Sequence, residues 1–378
     1  MKNSFSRREI LQTTIAVNVA LGISASAATA SPQLPVNTGA NHMQLTQEWD
    51  KTFLKSNKVD HQKVTFKNRY GIMLAADMYM PQNTGDQKLA AIILSGPFGA
   101  VKEQSSGFHA QTLAERGFVT LAFDPSFTGE SSGEVRNVAS PDIYTEDFSA
   151  AVDFIGLQPF VDRDRIGVLA ICGLTGMAIT AASSDSRIKA VATTAMYDMS
   201  RSMSKGYQDF YTQEQRQKVV DYLSQQRWAD AEQGTFATGL HEVPFDKNGN
   251  IVKADRLFPD ALPADADPVS KIFFNYYKTP RGFHPRAINS TTAWTATTPM
   301  SFFSFPLMDN IKYVSPRPLL LVTGDKAHSR YYSEDVYKAA SEPKELVVVA
   351  GADHVDLYDN LDKIPFNKFE QFFKEHLR

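Results

Sequence analysis

Six short apolar runs punctuate the chain: Leu89–Leu94, Phe118–Phe123, Ile166–Ile171, Ile188–Thr193, Leu319–Val322 and Leu346–Val349. They are rich in Val, Ile, Leu and Ala, as strands buried on both faces of a parallel sheet are. Between the first four lie stretches with helical spacing, Gln104–Arg116, Ile143–Leu157 and Thr175–Ser184. This alternation predicts an α/β fold, a mostly parallel sheet with helices on both faces. Upstream, Val64–Phe66 and Ile72–Tyr79 flank Asn68-Arg69-Tyr70-Gly71 and predict an antiparallel hairpin at the sheet edge. The alternation stops after Met196 and resumes at Pro318. The intervening residues, about 200–315, hold a strongly helical segment, Gln213–Glu232, and an aromatic, Pro-punctuated stretch from Phe273 to Phe305. No Gly/Ser linker marks either boundary. The stretch therefore reads as a helical cap inserted between strands, not a second domain.

Composition narrows the functional classes. The chain has 378 residues, 43% hydrophobic and 21% charged, which excludes collagen-like, low-complexity and disordered classes. Its single Cys excludes an intramolecular disulfide framework and every Cys-rich zinc or iron–sulfur site. With 39 Lys+Arg against 42 Asp+Glu, the net charge of -3 gives no basic footprint for nucleic acid. Neither a phosphate-binding Gly-rich loop, a dinucleotide fingerprint nor an H-E-x-x-H pair occurs, so no cofactor and no metal are expected.

The N-terminus reads Ser6-Arg7-Arg8-Glu9-Ile10-Leu11, then a weakly apolar run from Thr13 to Ala28 that closes in Ala28-Thr29-Ala30. It resembles a twin-arginine (Tat) export signal with an A-x-A cleavage site. That resemblance implies a signal peptide over 1–30, a partnership of the precursor with the Tat export machinery, and a mature chain, 31–378, that is periplasmic or secreted. The apolar run is about 15 residues, short of the roughly 20 that a membrane span needs, so the mature protein is not expected to span a membrane. Lys2, Arg7, Arg8 and Glu9 give the segment +2, so the remainder carries -5 of the total of -3.

The chemistry concentrates at Ile166-Gly167-Val168-Leu169-Ala170-Ile171-Cys172-Gly173-Leu174-Thr175-Gly176. A buried strand runs into a nucleophile-type residue and then into a helix rich in small residues. A nucleophile on such a turn projects at the carboxyl edge of the sheet. The following helix N-terminus favours a thiolate and is expected to lower the thiol pKa. The segment resembles the nucleophile elbow of α/β hydrolases of the dienelactone-hydrolase-related branch, G-x-C-x-G-G. Here Ala170 replaces the first Gly and Leu174 stands where the pattern has a small residue, so some distortion of the turn is expected.

Three further segments carry the resemblance. Gly96-Pro97-Phe98-Gly99-Ala100-Val101-Lys102-Glu103-Gln104 is similar to the family's oxyanion loop. Pro97 has no N–H, so Phe98 is the expected donor beside the amide of Gly173. Asp124-Pro125-Ser126-Phe127-Thr128-Gly129-Glu130-Ser131 is similar to a structural loop after the next strand. Gly351-Ala352-Asp353-His354 falls just past the last strand, where the family holds its catalytic His. The family's acid would fall at Ala327; Asp325, two residues earlier, is the first candidate, and Asp198 is the second. His109 and His328 also fall near sheet-end loops.

The resemblance implies an enzyme that cleaves an ester, lactone or thioester through a Cys-His-Asp triad, Cys172, His354 and Asp325, and a covalent acyl-enzyme. An aromatic cap would suit a small-molecule acyl substrate, apolar or aromatic. Two other functions remain open: acyl transfer to an acceptor other than water, and a non-catalytic binding protein that keeps the fold. Leu174 and Ala327 favour the last.

Overall fold

The computed structural model describes Leu45, residues 48–82, Gly85 and residues 87–378. The export-signal reading falls on residues outside this range. Among the described residues no helix is long and apolar enough to cross a membrane.

The chain begins with the hairpin strands β1 (Val59–Lys67) and β2 (Met73–Pro81), joined through Asn68-Arg69-Tyr70-Gly71. The Asn68 side chain closes this turn by accepting from the amides of Tyr70 and Ile72 at 3.0 Å each. There follow β3 (Leu89–Ser95), α1 (Ser105–Ala114), β4 (Val119–Phe123), α2 (Pro141–Gly156), β5 (Val161–Ile171), α3 (Thr175–Ser184) and β6 (Ile188–Thr194). The inserted segment holds α4 (Met199–Lys205), α5 (Gln213–Gln233), β7 (Thr238–Gly239), α6 (Pro268–Tyr277), β8 (Trp294–Thr295) and α7 (Pro299–Phe303). The sheet resumes with β9 (Leu319–Gly324), α8 (Arg330–Ala339), β10 (Lys344–Val349), α9 (Asp356–Asp359) and α10 (Phe366–His376).

The eight long strands form one sheet in the order β1-β2-β4-β3-β5-β6-β9-β10. The hairpin strands pair antiparallel with each other, and β2 antiparallel with β4; all other neighbours are parallel. Five of the six apolar runs thus occupy interior strands, and the sixth, Leu346–Val349, lies on the edge strand β10. β9 is buried at every position, whereas β10, at the edge, is only partly covered. Tyr144 and Phe148 of α2, Met177 and Ile179 of α3 and Tyr332 of α8 pack one face of the sheet. Leu113 of α1 and Phe366, Phe369 and Phe373 of α10 pack the other.

Local signals set the helix boundaries. Ser140 accepts from the Ile143 amide ahead of α2, with Pro141 at its first position. Thr212 and Gln215 form a capping box at α5, which ends at Gly234 in the left-handed region, φ +67°. β5 starts five residues before its apolar run, because the polar Val161–Arg165 stretch already pairs with Leu89 through a register shift.

A buried ionic cluster fixes the loops above the sheet. Lys102, fully buried, donates to Glu103 at 2.6 Å, Asp124 at 3.0 Å and Glu130 at 2.5 Å. Its backbone amide donates to the other oxygen of Asp124 at 2.7 Å. Arg286, from the inserted segment, pairs with Asp50 at 2.6 Å and Glu103 at 2.7 Å. A buried ion pair adds little net stability over an apolar replacement, but losing one partner strands the other charge. The cluster therefore specifies position: it ties the loop after β3, the loop after β4, the N-terminal approach and the insertion to one another.

Candidate active site

Cys172 closes β5 with φ +53°, in the left-handed region that a non-glycine residue enters at a cost. The neighbouring residues make that turn possible. Gly96 sits at φ +104°, and a Cβ there would come within 2.2 Å of the Ile171 carbonyl oxygen. A Cβ on Gly173 would come within 2.5 Å of Phe98 Cβ and 2.8 Å of Met199 Sδ. Leu174 does not distort the elbow. It adopts helical geometry, φ -84° and ψ -6°, and its side chain is buried in the core with Met177 and Phe98. The Thr175 hydroxyl donates to the Cys172 carbonyl at 2.6 Å, which anchors the turn to the start of α3.

The Cys172 thiol lies against the backbone amides of Phe98 and Gly173 and the hydroxyl of Tyr358. The two amides expected to hold an oxyanion thus converge at the sulfur. The expectation of a lowered thiol pKa is overturned. Burial pushes the thiol up to about 11, and these three donors offset only part of that shift. A helix N-terminus can lower a thiol pKa, but burial in apolar surroundings raises it, and among the described residues no cation offsets that burial here. At neutral pH Cys172 is a thiol.

His354 is fully buried behind Tyr358. Its Nε2 lies 2.9 Å from the Tyr358 hydroxyl and its Nδ1 lies 2.6 Å from Ser329 Oγ. Aromatic rings enclose it: Tyr197, Phe273 and His328 have centroids 5.4, 5.3 and 4.9 Å away. Burial and the neighbouring His328 hold its pKa well below 6.5, so the imidazole is neutral.

Among the described residues no carboxylate is hydrogen-bonded to His354, so the structure does not bring Asp325 to it. Asp325 Oδ1 accepts from the Gly351 amide at 2.7 Å. Gly324 is pressed against Ala352, so the loop leaving β9 spends its Asp on pinning the turn after β10. Ser329, just before α8, reaches Nδ1 instead. Asp198 caps α4 by accepting from the Arg201 amide at 3.1 Å and also lies outside the His354 hydrogen bonds. Ala327 is buried beside this loop. His109 serves α1, its Nδ1 2.9 Å from the Ser105 carbonyl.

A cavity of about 360 Å³ opens in front of the thiol. Sheet-end residues Phe98, Cys172, Tyr197, His328 and Tyr358 form its floor, and Tyr207, Glu242, Phe258, Phe273 and Tyr277 come from the insertion. His328 bonds the Tyr197 hydroxyl through Nε2 at 2.6 Å, and burial lowers its pKa to about 4. Sequence reasoning missed Tyr358, Ser329 and Glu242. Only Tyr358 had a legible signal, its spacing four residues beyond His354, which places both on one side of a helical turn. Among the described residues no group of three or more His, Cys, Asp or Glu side chains is placed to hold a metal ion.

Gly173→Ala tests the elbow. The added methyl must displace Phe98 or Met199, so stability to denaturant should fall by about 1–3 kcal/mol. The two amides should separate, and any turnover should drop about 10²–10³-fold. An unchanged protein would show that the two amides do not act at the sulfur.

Residues 70–244 match the model of the X-Pro dipeptidyl-peptidase (S15) family. The match contains the Phe98 loop and the elbow and stops before His354. The chain is 59% identical over 343 residues to the uncharacterized protein PA2218 of Pseudomonas aeruginosa, covering 90% of this chain and 88% of that protein. A crystal structure of PA2218 has a TM-score of 0.81, covering 88% of this chain and 98% of that one. The uncharacterized protein YcjY of Escherichia coli is 33% identical, over 79% of this chain and 92% of YcjY. More distant are the thiohydrolase aneE of Aspergillus aculeatus, 23% identical over 78% of this chain and 86% of that protein, and the polyketide transferase grgF of Penicillium sp., 24% identical over 77% and 90%. A crystal structure of GrgF, described as an α/β hydrolase, has a TM-score of 0.67 at 20% identity, covering 84% of this chain and 99% of that one. With the strand-to-helix elbow at Cys172, these likenesses place the chain in the family of PA2218 and YcjY, within the α/β-hydrolase fold.

Proposed function

We propose that this protein cleaves acyl thioesters or esters through an acyl-enzyme on Cys172. The observation that carries the proposal is the convergence of the Cys172 thiol with the Phe98 and Gly173 amides at the floor of a largely aromatic cavity. Two amides at the nucleophile are the geometry that stabilises a tetrahedral oxyanion. The names thiohydrolase and polyketide transferase, borne by distant relatives, point to the same acyl chemistry.

The proton path is indirect. In the resting arrangement this reading requires, Cys172 S–H donates to the Tyr358 oxygen, Tyr358 O–H donates to His354 Nε2 and Nδ1–H donates to Ser329 Oγ, and Tyr358 turns donor to the sulfur only as the thiolate forms. As sulfur attacks the acyl carbon, one proton passes from sulfur to Tyr358 and another from Tyr358 to His354. Collapse of the intermediate breaks the bond to the leaving group, which takes a proton back along the same path. Water then attacks the acyl-Cys172, releasing the acid and restoring the thiol. Among the described residues, imidazolium formed at His354 has the Ser329 hydroxyl at Nδ1 and no carboxylate hydrogen-bonded to it. Proton transfer is therefore concerted with C–S bond formation rather than preceding it.

A second outcome is acyl transfer to an alcohol or amine, for which the largely aromatic lining offers an organic acceptor apolar contacts that water cannot use. Product analysis with acyl thioesters, with and without an added alcohol, separates the two. Free acid alone assigns a hydrolase, and new ester assigns a transferase. The absence of both across a panel of acyl lengths would contradict the proposal.

A further inference from the structure

The cavity wall includes polar side chains, Glu242 foremost, that the acyl chemistry above does not use. Glu242, between β7 and α6, faces the cavity and accepts a hydrogen bond from Ser202 Oγ of α4. Among the described residues no lysine or arginine lines the cavity. Arg201, beside Ser202 on α4, is held by Asp209 at 2.6 Å and Asp335 at 2.9 Å. Among the described residues none forms an ion pair with Glu242. Asp267, at the rim, caps α6 by accepting from the Ser270 amide at 2.9 Å, and hydrogen bonding from the Ser270 side chain first and its amide second keeps its carboxyl below the usual range. Tyr197, Tyr207, Phe273, Tyr277 and Tyr358 offer ring faces and edges to the same space.

We infer that the Glu242 end of the cavity binds an organic ammonium group carried by the substrate, seated between the carboxylate and the tyrosine rings. An ammonium over aromatic faces gains electrostatic attraction that grows as water is excluded. The half-buried Glu242 carboxylate supplies the counter-charge. An anionic group would meet Glu242 and Asp267 with no positive side chain in the lining to offset them. The inference rests on the acyl-cleavage proposal only in that the ammonium belongs to the molecule whose acyl group reaches Cys172.

The neighbours of Glu242 make its response to a cation readable. Burial raises its carboxyl to about 7, so in the empty cavity it is part protonated at neutral pH. Tyr197, Tyr207, Tyr211, Tyr331 and Tyr332 face it, and burial raises each of their pKa values, so they stay neutral. His241 and His328 are neutral above about 4, and Asp267 is ionised. Glu242 is thus the group of this set that changes charge between about pH 6 and 8, and a bound ammonium should expel its proton.

The experiment is calorimetry on the Cys172→Ala protein, which holds the cavity without turnover. The probes are a hexyl alcohol ending in trimethylammonium and its neutral isostere ending in tert-butyl. The cation should bind at least about tenfold more tightly at pH 8, a gap of about 1.4 kcal/mol, and the preference should shrink as pH is lowered to about 6. Heats in buffers of different ionisation enthalpy should show proton release near pH 7. Glu242→Gln, which can still accept from Ser202, should lose both the preference and the proton release. Equal affinities at pH 8, or a preference that persists in Glu242→Gln, would overturn the inference. If that variant does not fold, the pH dependence of the preference in the parent protein decides: a flat profile overturns it. Turnover of acyl thioesters is measured separately on the intact chain. Its failure alongside a cation preference would remove the acyl proposal and leave this site standing.

Discussion

Replacing Cys172 with alanine should lower kcat/KM for acyl thioesters and p-nitrophenyl esters by at least about 10³-fold, with little change in stability. The side chain is small, and both residues must adopt the same left-handed backbone at φ +53°, so the strain of the elbow is common to both proteins. What disappears is the sulfur at the two amides. The Phe98 and Gly173 amides would remain in place, and the residual rate should be what they and binding supply to water attack alone. Steady-state kinetics on both proteins, with melting curves as the control for folding, provides the check. Turnover within about tenfold of the parent would mean that the acyl group never rests on this residue.

The second large effect is expected at Tyr358. Its hydroxyl bonds His354 Nε2 at 2.9 Å and also meets the Cys172 thiol, so Tyr358→Phe cuts the proton path without removing the base. A general base contributes typically about 10²–10⁴-fold, and Tyr358→Phe should lose an amount in that range. His354→Ala should lose a similar amount, and the double variant should be no slower than either single one, because both changes break one path.

The pH profile carries an independent mark of the same arrangement. His354 acts as a base only when neutral, and its pKa is held well below 6.5. Activity should therefore persist as pH falls through 6.5 and fail only at lower pH. A histidine supported by a carboxylate would instead lose activity near or above 6.5. An acid limb at or above 6.5, or a Tyr358→Phe protein with full activity, would mean that His354 reaches the thiol directly in the working enzyme.

The scaffold of this site was legible because the core pattern is strong. Thr175–Ser184 and the start of α5 at Gln213 were readable from apolar spacing and capping residues, and the alternation before Met196 specified the parallel sheet. Cys172, Phe98 and Gly173 were readable because a strand-to-helix elbow and a Gly-Pro loop need particular residues at fixed offsets. The partner of His354 was not. Whether Asp325 or Ser329 reaches Nδ1 depends on how the loop after β9 folds back onto Gly351, a long-range contact that no local pattern records. The spacing of Tyr358 from His354 was legible but its role was not, since that depends on the one-turn helix that aims it between His354 and the thiol. Glu242 lies in the insertion, where neither period nor motif marks a residue. The thiol pKa was misread because the helix N-terminus is local and visible in sequence, whereas burial is global and is not.

The most direct test is to mix the protein with a slowly turned-over acyl thioester, quench with acid within the first turnover, and measure intact mass. The account predicts a mass increase equal to the acyl group, mapped by peptide fragmentation to Cys172, released by hydroxylamine and absent in Cys172→Ala. Steady turnover with no adduct at any quench time in a protein whose deacylation is rate-limiting, or an adduct on any other residue, would contradict it.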